Sequence, residues 1–472
     1  MKRILAAATL VGTAVSAQAA DLAVKAPYYK APAALVYDWT GFYIGVNGGG
    51  GVGRDRTQHF IAPTANPASA NLNYLQPQGG LGGGQIGYNW QTGSLFGPLV
   101  IGIEADIQGA DLSDSYTSLF SGDARYNQKL DWFGTVRGRV GIATGPVLSY
   151  VTAGYAYGSV NTTVTEGPNV GVSPAGIFST GSRIQNGWTV GSGVEAALGG
   201  NWTGKIEYLY LNLGNKTDAF ALGGVSQALN TEIRENIFRV GLNYRIGGNS
   251  TYVPVAAANW TGFYLGGNIG SGTARDRSSL AGIGVPSEQF NLAPDGVVGG
   301  VQAGYNWQAA NWVYGLEADI QGSSQQDNRT CIVFCNAPAA AVAYDATLPW
   351  FGTVRGRLGY SVGSTLFYAT GGYAYGSVKT KTTSTFAGAS FLDSSSTTKS
   401  GWTAGAGIET PFTFLGLFGP NWTSKTEYLY VDLGSTTNPI VGGVLVNTTS
   451  VKEHIFRTGL NYHFNSPVVA KY

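Results

Sequence analysis

Apolar and polar residues alternate with a period of two along Leu130 to Gly141, LDWFGTVRGRVG. Trp132, Gly134, Val136, Gly138, Val140 and Ile142 fall on one side, and Phe133, Thr135, Arg137, Arg139 and Gly141 on the other. An apolar face backed by a face with two arginines predicts a strand with unlike surroundings on its two sides. A soluble sandwich turns such charge to water, whereas a membrane barrel turns the apolar face to lipid and the polar face to its lumen. The stretch returns as Leu348 to Gly359, LPWFGTVRGRLG, so whatever it builds is built twice.

The same alternation recurs. Ile101, Ile103, Ala105 and Ile107 oppose Gly102, Glu104, Asp106 and Gln108. Trp188, Val190 and Val194 oppose Gly191, Gly193 and Glu195, and Trp202, Ile206, Tyr208 and Tyr210 oppose Thr203, Lys205 and Glu207. Phe238, Val240, Leu242 and Tyr244 oppose Arg239, Gly241, Asn243 and Arg245. Eight strand-like segments are predicted in the first copy, near 40–52, 81–91, 99–109, 130–143, 147–159, 187–198, 201–213 and 236–246. The fifth is open, because both of its faces carry Tyr. Connections after the odd segments are long and rich in Ser, Thr, Asn and Gly. Those after the even ones are short, as at Thr92 to Pro98, Thr144 to Pro146 and Gly199-Gly200. Long loops at one end and tight turns at the other are the layout of an outer-membrane barrel.

A repeat of roughly 210 to 220 residues organises the whole chain. DWTGFYIGVNGG at Asp38 returns as NWTGFYLGGNIG at Asn259, and NWTGKIEYLYLNLG at Asn201 as NWTSKTEYLYVDLG at Asn421. NIFRVGLNYRI at Asn236 returns as HIFRTGLNYHF at His454. Strand patterns recur while most segments between them do not, the mark of a scaffold holding variable loops. With odd strands running outward, Trp39, Trp90, Trp202 and Tyr244 fall near the inner rim. Trp132, Trp188, Tyr208 and Tyr210 fall near the outer rim, giving two aromatic belts at the headgroups.

Composition narrows the class. Charged residues are 12% of 472, about half the usual share. Net charge is +1, which removes any bulk electrostatic case for a nucleic-acid partner. Seventy-one glycines and no apolar run of about 18 residues fit a β-rich chain without a spanning helix. Lys2 and Arg3, the apolar Ile4 to Val15 and Ala17-Gln18-Ala19 predict a secretory signal over 1–19. The remaining layout is a periplasmic lead over 20–37, a first repeat over 38–248, a linker over 249–258, a second repeat over 259–464 and a tail over 465–472. Export predicts a disulfide between Cys331 and Cys335, with no further ligands nearby for zinc.

The polar faces collect Glu104, Asp106, Arg137, Arg139, Glu195, Lys205, Glu207 and Arg239 in the first copy. The second collects Glu317, Asp319, Arg355, Arg357, Glu409, Lys425, Glu427 and Arg457. Each set is four acids and four bases. An eight-stranded barrel has an interior just wide enough for side chains to fill, and charges there must pair. Balance within each copy favours two self-neutralising eight-stranded barrels, each plugged by its own charges. The alternative is one sixteen-stranded barrel whose charges face a water-filled channel. Other candidate chemistry fails. Gly82-x-Gly84-x-x-Gly87 sits in an alternating strand, not at a strand-to-helix turn, so it is no dinucleotide fingerprint. Asn201, Asn259 and Asn421 match a glycosylation sequon but sit at strand starts as turn residues. His59, His454 and His463 have no histidine counterparts in the other copy. No catalytic residue, metal site or cofactor is assigned.

Signal peptide, WTGFYIG opening, WFGTVRGRVG and KIEYLY strands and FRVGLNY closing strand together resemble the small outer-membrane immunogenic proteins of Gram-negative bacteria. These belong to the porin-like superfamily with the opacity proteins and the barrel of outer-membrane protein A. The resemblance spans nearly the whole mature chain, twice. It implies an all-β, antiparallel up-and-down transmembrane barrel in the outer membrane, here as two tandem barrels. It also implies a non-enzymatic envelope and surface-interaction role. Expected partners are outer-membrane lipid, the barrel assembly machinery through the C-terminal strand, and host or surface ligands at the outer loops. Two alternatives stand beside it: a diffusion porin for small hydrophilic solutes, and a soluble secreted β-barrel binding an apolar ligand. The chain departs from the family in its duplication and in the eight residues that follow Phe464.

Overall fold

The computed structural model describes residues 37–61, 71–94, 97–118, 124–166, 176–222, 225–247, 258–282, 285–329, 340–386, 389–412, 418–440 and 445–464. The proposed signal, most of the linker, Cys331, Cys335 and the tail after Phe464 lie outside the described residues.

Strands dominate both copies. The first holds β1 (Gly41–Gly53), β2 (Asp55–Ile61), β3 (Asn71–Leu75), β4 (Gln78–Ser94), β5 (Gly97–Ser118), β6 (Ala124–Thr144), β7 (Val147–Glu166), β8 (Gly176–Ser179), β9 (Arg183–Gly199), β10 (Trp202–Leu222) and β11 (Val225–Ile246). Eight of these form an antiparallel ring in the order β1-β4-β5-β6-β7-β9-β10-β11, and β11 pairs back onto β1 from Phe42↔Ile246 to Gly53↔Glu235. The second copy holds β12 (Gly262–Ala274), β13 (Asp276–Gly282), β14 (Val285–Leu292), β15 (Asp295–Ala309), β16 (Trp312–Arg329), β17 (Ala340–Val362), β18 (Thr365–Phe386), β19 (Ala389–Pro411), β20 (Trp422–Ile440) and β21 (Leu445–His463). Its ring runs β12-β15-β16-β17-β18-β19-β20-β21 and closes between β12 and β21. Each copy therefore satisfies its own edges, and the single sixteen-stranded wall is excluded.

Burial follows the alternation read from sequence. In β6, Arg137 and Arg139 are buried while Val136 and Val140 are exposed. In β5, Glu104 and Asp106 are buried between exposed Ile103 and Ile107. An apolar outer wall around a charged interior is the reverse of a soluble barrel that carries an apolar ligand, so that alternative falls as well. The open fifth segment resolves by parity: Tyr150 points inward, and Tyr155 and Tyr157 point outward.

Three expectations are corrected. The strands are longer than the predicted segments; β5, β6, β7, β10 and β11 have 20 to 22 residues. A barrel crosses a bilayer with about 9–11 residues per strand, so much of the Ser- and Thr-rich sequence continues the sheet beyond it. β10, for example, runs past Gly214 through a register shift between Asn212 and Asn215. The first long connection is also ordered in part, as a β2–β3 hairpin whose β2 pairs with the far end of β11. Finally, Trp39 is at the predicted rim but fully buried, inside the mouth of the barrel and away from lipid.

Candidate functional site

The interior of each barrel is stacked in layers. At the short-turn end, Trp39 packs with Tyr37, Val100, Leu148 and Tyr150, and its indole N–H donates to the Gly145 carbonyl at 3.2 Å. Trp260 occupies the same place in the second copy, against Val313, Leu366 and Tyr368. The charged layer follows. Beyond it an apolar layer of Leu112, Leu130, Phe133, Leu209, Leu211 and Ile237 fills the bore. Phe351, Leu348, Leu429, Val431 and Ile455 do so in the second copy. The predicted polar interior is thus a charged slab between two apolar ones.

Within the slab the structure brings together all eight predicted residues of each copy. Arg137 is the hub of the first. Its guanidinium contacts Glu104 and donates to Asp106 at 2.8 Å and Glu207 at 3.1 Å. Arg239 meets Glu207 at 2.6 Å and Asp106 at 2.8 Å, and Lys205 reaches Glu104 at 3.0 Å. Arg139 pairs with Glu195 at 2.9 Å. The second copy repeats the set. Arg355 contacts Glu317 and reaches Asp319 and Glu427, each at 3.0 Å. Arg457 meets Asp319 at 2.8 Å and Glu427 at 2.7 Å, Lys425 meets Glu317 at 2.7 Å, and Arg357 meets Glu409 at 2.8 Å. These pairs join strands across the bore as well as neighbours along the wall. Burial of so many charges is tolerable only because each has at least one opposite partner and most have two or more.

Neutral groups complete the slab; of these, sequence parity placed Asn243 on the polar face but the two tyrosines were missed. Tyr43 donates to Glu104 at 2.8 Å and Tyr150 to Glu207 at 2.9 Å, and Arg139 lies 4.8 Å from the Tyr43 ring centre and 5.1 Å from that of Tyr150. Asn243 donates to Glu195 at 2.9 Å. Tyr264, Tyr368 and Asn461 take these positions in the second copy. The parity that places Tyr43 was available, since it shares a side with Gly45 and Asn47, opposite Phe42, Ile44 and Val46. Glycines make the room: a Cβ on Gly87 would come within 2.3 Å of the Tyr43 hydroxyl, and one on Gly193 within 2.6 Å of that of Tyr150. Glu235 and Glu453, one layer further out, are likewise buried and were not singled out.

The copies differ at one position of the slab's rim. Arg245 donates to the Thr40 carbonyl at 3.0 Å, whereas its counterpart His463 lies 3.0 Å from Glu409. The other histidines are elsewhere: His59 contacts Tyr126 and Gln227, and His454 contacts Tyr428. Among the described residues no group of three His, Cys, Asp or Glu side chains is arranged to hold a metal ion.

Comparison with known proteins agrees with this geometry. The family model for the outer membrane protein beta-barrel domain matches twice, over residues 5–245 and 247–464. A 31 kDa outer-membrane immunogenic protein of Brucella melitensis is 37% identical over 253 residues, which cover 52% of this chain and 100% of that protein. A 22 kDa outer membrane protein of Rhizobium leguminosarum is 31% identical over 223 residues, 46% of this chain and 82% of that protein. Among solved structures, Neisserial surface protein A is 12% identical over 43% of this chain and 98% of its own, at a TM-score of 0.22. With the domain matched in both halves and each half closed into its own eight-stranded ring, the chain belongs to the outer-membrane β-barrel proteins, in the family of the immunogenic outer-membrane proteins, and resides in the cell outer membrane as two barrels in tandem.

Proposed function

We propose that the protein is a non-enzymatic, non-conducting element of the outer membrane that supports envelope integrity and presents its outer hairpins to the surroundings. The observation that carries this reading is the filled bore. The basic side chains Arg137, Lys205 and Arg239 are at most 2% exposed and reach across to Glu104, Asp106 and Glu207. Apolar layers cover the slab on both sides. A solute would have to displace paired charges and two packed layers, which is no route for diffusion. The strand extensions beyond the bilayer supply surface for contact with host or surface ligands.

A deletion strain tests this. Uptake of small hydrophilic solutes is expected to be unchanged, while resistance to detergents and bulky antibiotics falls. Lost solute uptake with an intact barrier to detergents would instead make the protein a diffusion porin.

Assembly is part of the same reading. β21 ends beside Phe464, which is 60% exposed and edge-on to Tyr462 at 5.4 Å. The matching position of β11 holds Ile246, also exposed and without an aromatic ring. We assign the terminal aromatic to recognition by the barrel assembly machinery. Phe464→Ala is expected to lower the yield of inserted, heat-modifiable protein well below that of Ile246→Ala. Equal yields would refute the assignment.

A further inference from the structure

The outward faces of β10 and β11 break the rule that outward means exposed. Phe238 is 7% exposed although Val240, two residues along the same face, is 54% exposed. Phe456, the counterpart of Phe238, is 8% exposed. What covers each is the other copy. Val194, Ile206 and Phe238 pack in one cluster with Ile408 and Phe456, joined by Tyr208, Phe367 and Tyr428.

The contacts are reciprocal. Tyr208 of the first copy stacks on Phe456 of the second, with centroids 5.3 Å apart, and Phe238 of the first meets Tyr428 of the second at 4.6 Å. Tyr208 and Tyr428 are equivalent in the repeat, as are Phe238 and Phe456. Phe238 and Phe456 also face each other, at 6.4 Å. Beyond the outer belt the exchange repeats in polar form. Arg54 of the first copy contacts Asp295 and reaches Asp327 at 2.7 Å. Its counterpart Arg275 reaches Gln78 at 2.6 Å and Asp114 at 2.9 Å. Gln78 and Asp295 each open the fourth segment of their copy's strand order, and Asp114 and Asp327 hold matching places in the next strand. Residue i of one copy touches residue j of the other, and j of the first touches i of the second. That is the signature of an isologous, two-fold interface.

We propose that the two barrels dock through a self-complementary face, so that each repeat recognises another barrel of its own kind and the tandem chain is a covalent form of a barrel dimer. Each layer supplies a different part of the recognition. Lipid tails are as apolar as the aromatic quartet, so packing and shape, not burial from water, hold the membrane layer. The paired arginine clamps outside the bilayer fix the rotation of one barrel against the other. Pairing then does not depend on the linker. This goes beyond the closed-lumen reading, since two plugged barrels joined only by a tether would serve that function equally well.

The test uses the full chain carrying a site-specific protease sequence within residues 249–258. The protein is inserted, extracted in mild detergent and cut, and its mass is read by light scattering after gel filtration. Heat-modifiability of each half reports that both barrels stay folded. The cut halves are expected to remain one particle of the uncut mass. Arg54→Glu with Arg275→Glu, together with Tyr208→Ala and Phe456→Ala, should release two folded halves. Either arginine change alone should weaken the pair, Arg54→Glu the more, because Arg54 meets two carboxylates whereas Arg275 meets one carboxylate, shared with Arg277, and one amide. If cut wild-type halves separate while folded, or the quadruple variant stays paired, the docking face is wrong. If either single arginine variant leaves the pair as tight as wild type, the two-fold relation is wrong. Neither result would bear on whether each bore is filled.

Discussion

Arg137→Ala is expected to destabilise the first barrel by about 3–5 kcal/mol, the cost of removing one partner from a buried ion network. Three carboxylates lose their shared donor at once. Glu104, Asp106 and Glu207 remain buried beside an apolar layer, with Lys205, Arg239 and, at 3.8 Å from Glu104, Arg139 left to balance them. Arg137→Lys should fall between alanine and wild type, because an ammonium cannot hold all three carboxylates with the spread of a guanidinium. Arg355→Ala should do the same to the second barrel. Each network is contained within its own ring, so the two losses should add to within about 0.5 kcal/mol. Urea titration of the heat-modifiable band measures both. A loss under about 1 kcal/mol would show that the slab is solvated and not a packed plug.

Trp39→Ala is expected to cost about 3 kcal/mol, the lower end for removing a fully buried large aromatic. The ring fills the mouth beside Tyr37 and Leu148. The charged slab above it stays intact, so the variant should lose stability without gaining conductance. Stability is read by the same urea titration. A variant as stable as wild type would mean that the mouth residues are ornamental to the plug.

The residues that sequence placed correctly are those governed by strand parity. Arg137, Arg139, Glu104 and Asp106 alternate with Val136, Val140, Ile103 and Ile107, and nothing competes with that signal. Trp39 shows where parity stops. It precedes β1, and the chain turns at Gly41 with a φ of +136°, a conformation that redirects the preceding residues into the bore. Depth could be counted from sequence, but facing could not. The apolar layer was hidden for another reason. Along β10 the inward positions read Thr203, Lys205 and Glu207, then Leu209, Leu211 and Leu213, so one face changes from polar to apolar partway along. A single label for a face averages that change away. Tyr208 was readable as an outward aromatic near the outer rim and Phe238 as outward-facing, yet nothing local distinguishes a ring that meets lipid from one that meets another barrel. Only the reciprocal pairing of equivalent residues in three dimensions does so.

The most direct test of two closed, filled barrels is the conductance of the full chain reconstituted in planar bilayers. Rings that close at β1–β11 and β12–β21 around paired charges predict a bilayer indistinguishable from one without protein, with no steady steps under applied voltage. A porin-sized, long-lived open state from the wild-type chain would contradict the account.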